Sequence, residues 1–168
     1  MEFFDIYTAG GQRTGRTAPK GTVCTSGDYF LGVHIYIYDS RGRFLLQQRA
    51  ENKSFRPGEW DIHMGHAMTG ETSLEAACRE LEEELGVGFT PEQMIHVART
   101  VWKQNNSLVD IYFIQADLDE TRLHLQKEEV ISAKWVKKEE MISFIRAMSS
   151  YRPEHYRQIV LQYIADIL

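Results

Sequence analysis

Residues 65–87 read GHAMTGETSLEAACRELEEELGV, and this stretch decides how the rest of the chain is understood. From Ser73 to Leu85 the pattern is helical: Leu74, Ala77, Leu81 and Leu85 recur at spacings of three and four, which draws one apolar stripe. Thr72 or Ser73 is placed to cap the start, and Gly86 stands where a helix C-cap glycine belongs. On that helix Glu80, Glu83 and Glu84 stand at i, i+3 and i+4, so three carboxylates share one face. Like charges this close destabilise a helix unless something cationic neutralises them. Hard oxygen ligands of this kind suit Mg2+ or Mn2+, which bind through carboxylates together with substrate phosphates. Glutamate runs taken alone are usually solvated helix faces, and Glu82, on a different face, is assigned that role.

Upstream of this helix, residues 2–8 and 12–18 flank the turn Ala9-Gly10-Gly11, which predicts an N-terminal β-hairpin. Its aromatic content would support a homodimer. Residues 29–38 (YFLGVHIYIY) read as a strand, Asp39-Ser40-Arg41-Gly42 as a turn, and FLLQQR at 44–49 as the next strand. AENKSFRPGEW is a polar loop broken by Pro57-Gly58, followed by a short strand WDIHM at 60–64. Downstream, strands are expected at 94–103, 108–117 and 131–136, then helices at 138–149 and 154–168. Strands before and after a central helix predict a mixed α/β fold. At 168 residues, with 43% hydrophobic and 26% charged content, one domain over 1–168 is expected.

The net charge of −5 argues against a non-specific nucleic-acid binder, although a metal-holding glutamate cluster still makes a site for a polyanion. Cys24 and Cys78 are far apart with no CxxC pairing, so reduced thiols are expected, not a zinc site or a disulfide framework. There is no apolar secretory h-region and no stretch of transmembrane length, which predicts a cytoplasmic protein with no membrane partner.

The segment 65–87 resembles the Nudix box, G-x5-E-x7-R-E-U-x-E-E-x-G-U with U aliphatic, at every defined position: Gly65, Glu71, Arg79, Glu80, Leu81, Glu83, Glu84, Gly86 and Val87. From average residue usage, seven fixed residues coincide at a given start with odds on the order of 10⁻⁷ or below. The resemblance implies a Nudix fold, a mixed β-sheet sandwiched between α-helices, with the box forming a loop-helix-loop. It implies cleavage within a nucleoside diphosphate linked to another moiety. By the same resemblance Glu80, Glu83 and Glu84 would ligate metal, Glu71 and Arg79 would brace the element, and Gly65 would allow a tight loop and offer its carbonyl to the metal. Phosphoanhydride hydrolysis needs charge neutralisation on phosphate oxygens and an activated water, which divalent ions supply. Arg49, Lys53 and Arg56, just before the box, are candidates for contacting phosphate or are ordinary loop cations. Nudix hydrolases often recruit a further glutamate from outside the box, and Glu128 or Glu129 is placed for that role or for a solvated loop.

The run GRFLLQQRAENKSFRPGEWDIHMGHAMTGE also looks like the branch containing isopentenyl diphosphate isomerases and their hydrolase relatives. The isomerases carry a catalytic cysteine immediately before the Gly-His of the box, where this chain has Met64, which can neither protonate an alkene nor form a thiolate. Their metal-binding histidine ahead of the first core strand is replaced by Tyr29-Phe30, and their catalytic acid by Asn106, Ser107 and Leu108. His66 matches one of their metal-binding histidines and is a candidate ligand, or a loop hydrogen-bonding group. His34 and His63 fall in strand patterns and are assigned structural or pocket-lining roles. Trp60, Trp102 and Tyr112 are candidates for stacking on a base or for filling the core. The expectation is a hydrolase acting on a small-molecule diphosphate, a simple nucleoside di- or triphosphate included. An isomerase or a non-catalytic diphosphate-binding module are the alternatives.

Overall fold

The computed structural model describes residues 2–25 and 27–168. The N-terminal hairpin forms from Phe3–Tyr7 (β1) and Arg13–Pro19 (β2). It is a separate two-stranded sheet, tied to the body by a Tyr7–Tyr29 bridge and by Thr69 N–H donating to the Phe3 carbonyl at 2.8 Å. The main sheet has seven strands: Phe30–Tyr38 (β3), Phe44–Arg49 (β4), Trp60–Asp61 (β5), His63–His66 (β6), Ile95–Trp102 (β7), Ser107–Gln115 (β8) and Val130–Val136 (β9). The helices are Ser73–Leu85 (α1), Lys138–Ala147 (α2) and Glu154–Ile167 (α3).

β3 runs parallel to β8 along its whole length, and β7 is antiparallel to β8. β3 and β4 pair at Ile37↔Leu45 and Tyr38↔Phe44 and then take different neighbours. β5 joins β4 through Gln47↔Asp61, whereas β6 joins β3 through His34↔Met64 and Val33↔Gly65. The stretch expected as one strand, WDIHM, is therefore two, because the chain changes partner at the buried Ile62. That switch carries Gly65 and His66 into the gap between the two halves of the sheet.

The strands alternate strictly between two cores, as period-two side chains must. Leu31, Val33, Ile35 and Ile37 of β3, with Leu108, Tyr112 and Ile114 of β8, pack against the α1 stripe of Ala77, Leu81 and Leu85. Tyr36, Tyr38, Ile111 and Phe113 face the opposite way, onto Met141 and Ile145 of α2 and Tyr156, Val160 and Ile164 of α3. Leu81 and Leu85 are fully buried, each contributing about 1.5–3 kcal/mol. The sheet is sandwiched between helices, in agreement with the expectation from the sequence.

Candidate active site

The site is built on α1, and local sequence explains why this helix begins and ends where it does. Thr72 caps the N-terminus in a capping box with Glu75, its hydroxyl accepting from Glu75 N–H. Gly86 ends the helix in the left-handed region at φ 68° and donates to the Glu82 carbonyl. With the apolar stripe fixed in the core, the opposite side of the helix must carry Glu80, Glu83 and Glu84, and all three line one cleft of about 440 Å³. Glu82 is exposed and lies outside it.

Arg79 organises the approach to this helix. Its Nε and Nη2 form a fork onto Glu71, at 2.8 and 3.0 Å, while Nη1 donates to Glu80 at 3.0 Å and to Glu83 at 3.1 Å. Nη2 also donates to the His66 carbonyl at 3.0 Å, which fixes the loop before the helix. Glu71 accepts in addition from the Met68 N–H at 2.8 Å. Burial works against the Glu71 anion, but Arg79 and that backbone N–H outweigh it and hold the carboxyl below its ordinary range. Arg79 thus bridges Glu71 of the loop to Glu80 and Glu83 of α1.

Gly65 is required by packing. A Cβ built on it runs into the Glu80 carboxyl group, so β6 and α1 approach this closely only because residue 65 is glycine. Glu84 is the deepest of the three carboxylates, with long contacts to His63 Nδ1 at 3.4 Å and Gln47 Nε2 at 3.5 Å. Glu83 remains half-exposed at the cleft surface. Burial pushes the Glu80 carboxyl up to about 7, the charge of Glu84 adds to this, and Arg79 opposes it. Among the described residues, no three His, Cys, Asp or Glu side chains already stand together as a preformed cage. The donor set nevertheless fits a hard divalent cation. It supplies carboxylate oxygens from one helix face, and it contains a buried, mutually repelling Glu80–Glu84 pair whose strain a cation would relieve.

Cations stand on part of the rim. Arg49 and Lys53 line the cleft, Arg49 Nε donating to the Phe55 carbonyl at 2.8 Å and Lys53 pairing with Glu129. Arg56 does not line it: this residue turns away at φ 49°, pairs with Glu59 and lies over the Tyr151 ring at 4.0 Å. Of the two loop glutamates, Glu129 faces the cleft, whereas Glu128 is exposed outside it. His66 lines the cleft stacked on Phe4, with ring centroids 5.4 Å apart. Its imidazole stays open to solvent on one side, and crowding by the cleft wall, with the charge of Lys20, lowers its pKa from the ordinary histidine value. Trp102 lines the cleft, but Trp60 lies outside under Lys134, and Tyr112 is buried with its hydroxyl 2.7 Å from that of Ser73.

Sequence reasoning missed several lining residues. Lys20, at the end of the hairpin, reaches the cleft and pairs with Glu2 at 2.7 Å. Tyr151 and Arg152, just before α3, close the far side, and Arg152 is held by Asp61 at 2.8 Å in a pair almost wholly out of solvent. An arginine in a turn carries no sequence signal of such a partner. The pairing spans ninety-one positions and follows only from the fold.

A family model described as NUDIX domain matches residues 28–159. The chain is 38% identical over 162 residues to Nudix hydrolase 3 of Arabidopsis thaliana, covering 86% of this chain but 20% of that protein's length. It is 36% identical over 146 residues to an uncharacterized Nudix hydrolase, lmo0368, of Listeria monocytogenes, covering 84% and 83% of the two chains. An isopentenyl-diphosphate Delta-isomerase of Haloarcula marismortui is 33% identical over 132 residues, 74% of this chain and 66% of its own. Among solved structures, DR0079 from Deinococcus radiodurans superposes with a TM-score of 0.73 at 18% identity, covering 98% of each chain.

Proposed function

The chain belongs to the NUDIX domain family and is a pyrophosphohydrolase of that type, and we propose that it hydrolyses, with Mg2+ or Mn2+, a phosphoanhydride bond in a nucleoside di- or triphosphate or in a nucleoside diphosphate linked to another moiety. One observation carries this reading: the carboxylates of Glu80, Glu83 and Glu84 line the same cleft as the cations Lys20, Arg49 and Lys53. Acidic and basic side chains lining one cleft suit a metal-bound polyphosphate. Glu80, Glu83 and Glu84 would hold the divalent ion, with the Gly65 carbonyl and His66 as further donors from β6. When bound, such an ion neutralises phosphate oxygens and lowers the pKa of a coordinated water.

The remaining chemistry falls to the chain's own residues. Lys53 and Lys20, each already paired with a rim carboxylate, are positioned to exchange Glu129 and Glu2 for phosphate oxygens. Glu129, once released from Lys53, is a candidate for orienting the attacking water. Arg79 keeps Glu80 and Glu83 in register with Glu71 and does not itself need to touch substrate. An isomerase reading has no thiol to use, because Met64 stands in the cleft wall and no cysteine is among the lining residues.

The test is a turnover screen of the purified chain with Mg2+ or Mn2+ against nucleotides, sugar nucleotides, coenzyme A and isopentenyl diphosphate, repeated with Glu83→Gln. Release of phosphate or nucleoside monophosphate that falls at least about 100-fold in the variant is expected. Turnover at the wild-type rate in Glu83→Gln would sink the assigned mechanism.

A further inference from the structure

His34 lines the cleft together with Trp102, Met64 and Val109, which belong to the sheet face packed against α3, opposite the α1 core. Its ring meets Trp102 edge to face, with centroids 5.3 Å apart. The Trp102 indole N–H is already spent on the Thr100 hydroxyl at 2.9 Å, so that ring offers the cleft an apolar surface. His34 Nδ1 is taken up by the Tyr156 hydroxyl at 2.8 Å, and that hydroxyl meets the Tyr36 hydroxyl at 2.6 Å. Nε2 is thus the ring nitrogen left for a ligand. Tyr36 and Tyr156 are wholly buried, so the order of protons along this chain is decided inside the protein.

Two orders are conceivable, and the closed end selects one. Among the described residues, Tyr36 Oη has only Tyr156 Oη as a hydrogen-bond partner. A buried hydroxyl left with an unused proton costs more than one left with an unused lone pair. Tyr36 therefore donates to Tyr156, Tyr156 donates to His34 Nδ1, and the imidazole proton must reside on Nε2. Burial and the nearby Arg152 charge hold the His34 imidazole well below its usual range, so the ring is neutral at pH 7. A neutral donor beside Trp102, Met64 and Val109, with the nearby Arg152 already paired to Asp61, is poorly suited to phosphate, for which the cleft has Lys20, Arg49 and Lys53. It suits a neutral acceptor, a carbonyl oxygen or ring nitrogen, on a flat group.

We propose that the Tyr36–Tyr156–His34 chain fixes His34 as an Nε2–H donor that recognises an acceptor atom on the nucleobase of the substrate, making His34 a specificity-determining residue. This rests on the pyrophosphohydrolase reading for the word substrate, but both the proton order and the base contact are measurable without turnover. In protein labelled with 15N-histidine, two-bond correlation spectra assign the tautomer, with His34 identified by its loss in His34→Gln. A protonated Nε2 and an accepting Nδ1 are expected; a protonated Nδ1 overturns the proposal. Titration with ADP, GDP, CDP and UDP, with Ca2+ in place of the catalytic metal, should move the His34 Nε2 signal for at least one nucleotide, whereas inorganic pyrophosphate should leave it in place.

By calorimetry, His34→Leu should weaken binding of that nucleotide about tenfold or more while leaving pyrophosphate affinity unchanged. His34→Gln, which keeps an N–H donor and guards against a folding defect in the leucine variant, should stay within about threefold of wild type. Equal loss of nucleotide and pyrophosphate binding in His34→Leu, or an Nε2 signal that no nucleotide moves, would show a structural histidine and refute the proposal. Absence of hydrolysis alongside the expected spectra would instead refute the hydrolase reading and leave the base site standing.

Discussion

Replacing Gly65 by alanine adds one methyl group at the point where β6 meets α1. The added Cβ would overlap Glu80 Cδ, Oε1 and Cγ. The strand cannot retreat, because Val33↔Gly65 and His34↔Met64 pair it to β3, so the Glu80 side chain must move. Overpacking of this kind costs about 1–3 kcal/mol, and the entropic advantage of alanine over glycine returns about 0.5–1 kcal/mol. A net loss of up to about 2.5 kcal/mol follows, which for a chain of this size lowers Tm by up to roughly 10 °C. The catalytic effect should be larger. Glu80 leaves its 3.0 Å contact with Arg79, and misplacing a catalytic group by about 1 Å can cost on the order of 100-fold in rate. Steady-state kinetics with Mg2+ and thermal melting measure both effects. The sharper assay is the double-mutant cycle with Glu80→Asp, whose shorter side chain withdraws from the methyl group. Gly65→Ala should then cost less stability by about 0.5–1 kcal/mol or more in the Asp background. Additive losses, or a Gly65→Ala protein with wild-type kcat/KM, would show that the β6–α1 contact does not position Glu80.

Two further outcomes follow from charges the fold removes from solvent. Asp110 is held below its ordinary carboxylate range because the Arg99 fork, at 2.7 Å on both oxygens, and Ser73 outweigh the opposing effect of burial. A depressed folded-state pKa stabilises the native state above the unfolded value, near 4, and that contribution disappears as pH falls through the folded value. Asp110→Asn should therefore lower Tm at pH 7 by an amount equivalent to about 1–3 kcal/mol, with the gap to wild type narrowing below about pH 4. Removing one member of the buried Arg152–Asp61 pair leaves the other charge uncompensated, so Asp61→Asn should cost about 3–5 kcal/mol in urea denaturation. A loss below about 1 kcal/mol would show that solvent reaches Arg152.

Local signals made α1 legible from Thr72 to Gly86, because its cap, stripe and terminating glycine are all written within fifteen consecutive residues. The carboxylate face followed from helical spacing alone. Choices between neighbours were not legible in the same way. Glu129 faces the cleft and Glu128 does not, a choice made in the turn before β9, where the Glu129 N–H donates to the Gln126 carbonyl. Arg56 reads like Lys53 in sequence, yet a positive φ turns it onto Glu59 and Tyr151. The single strand expected at 60–64 splits because two different partners compete for it. Least visible were contacts across long stretches of chain. His34 meets Tyr156 122 positions away, and Lys20 enters the cleft only because the hairpin docks on the loop before α1, through Thr69 and Gly70.

The central assignment is that one face of α1 holds a divalent ion. Titration of Mn2+ into the protein, followed by electron paramagnetic resonance of the free ion, tests it with no substrate present. Wild-type protein should take up Mn2+, and Glu80→Gln, Glu83→Gln and Glu84→Gln should each weaken uptake by about tenfold or more while the protein stays folded. Mn2+ uptake unchanged in all three variants would place the metal elsewhere and contradict the assignment.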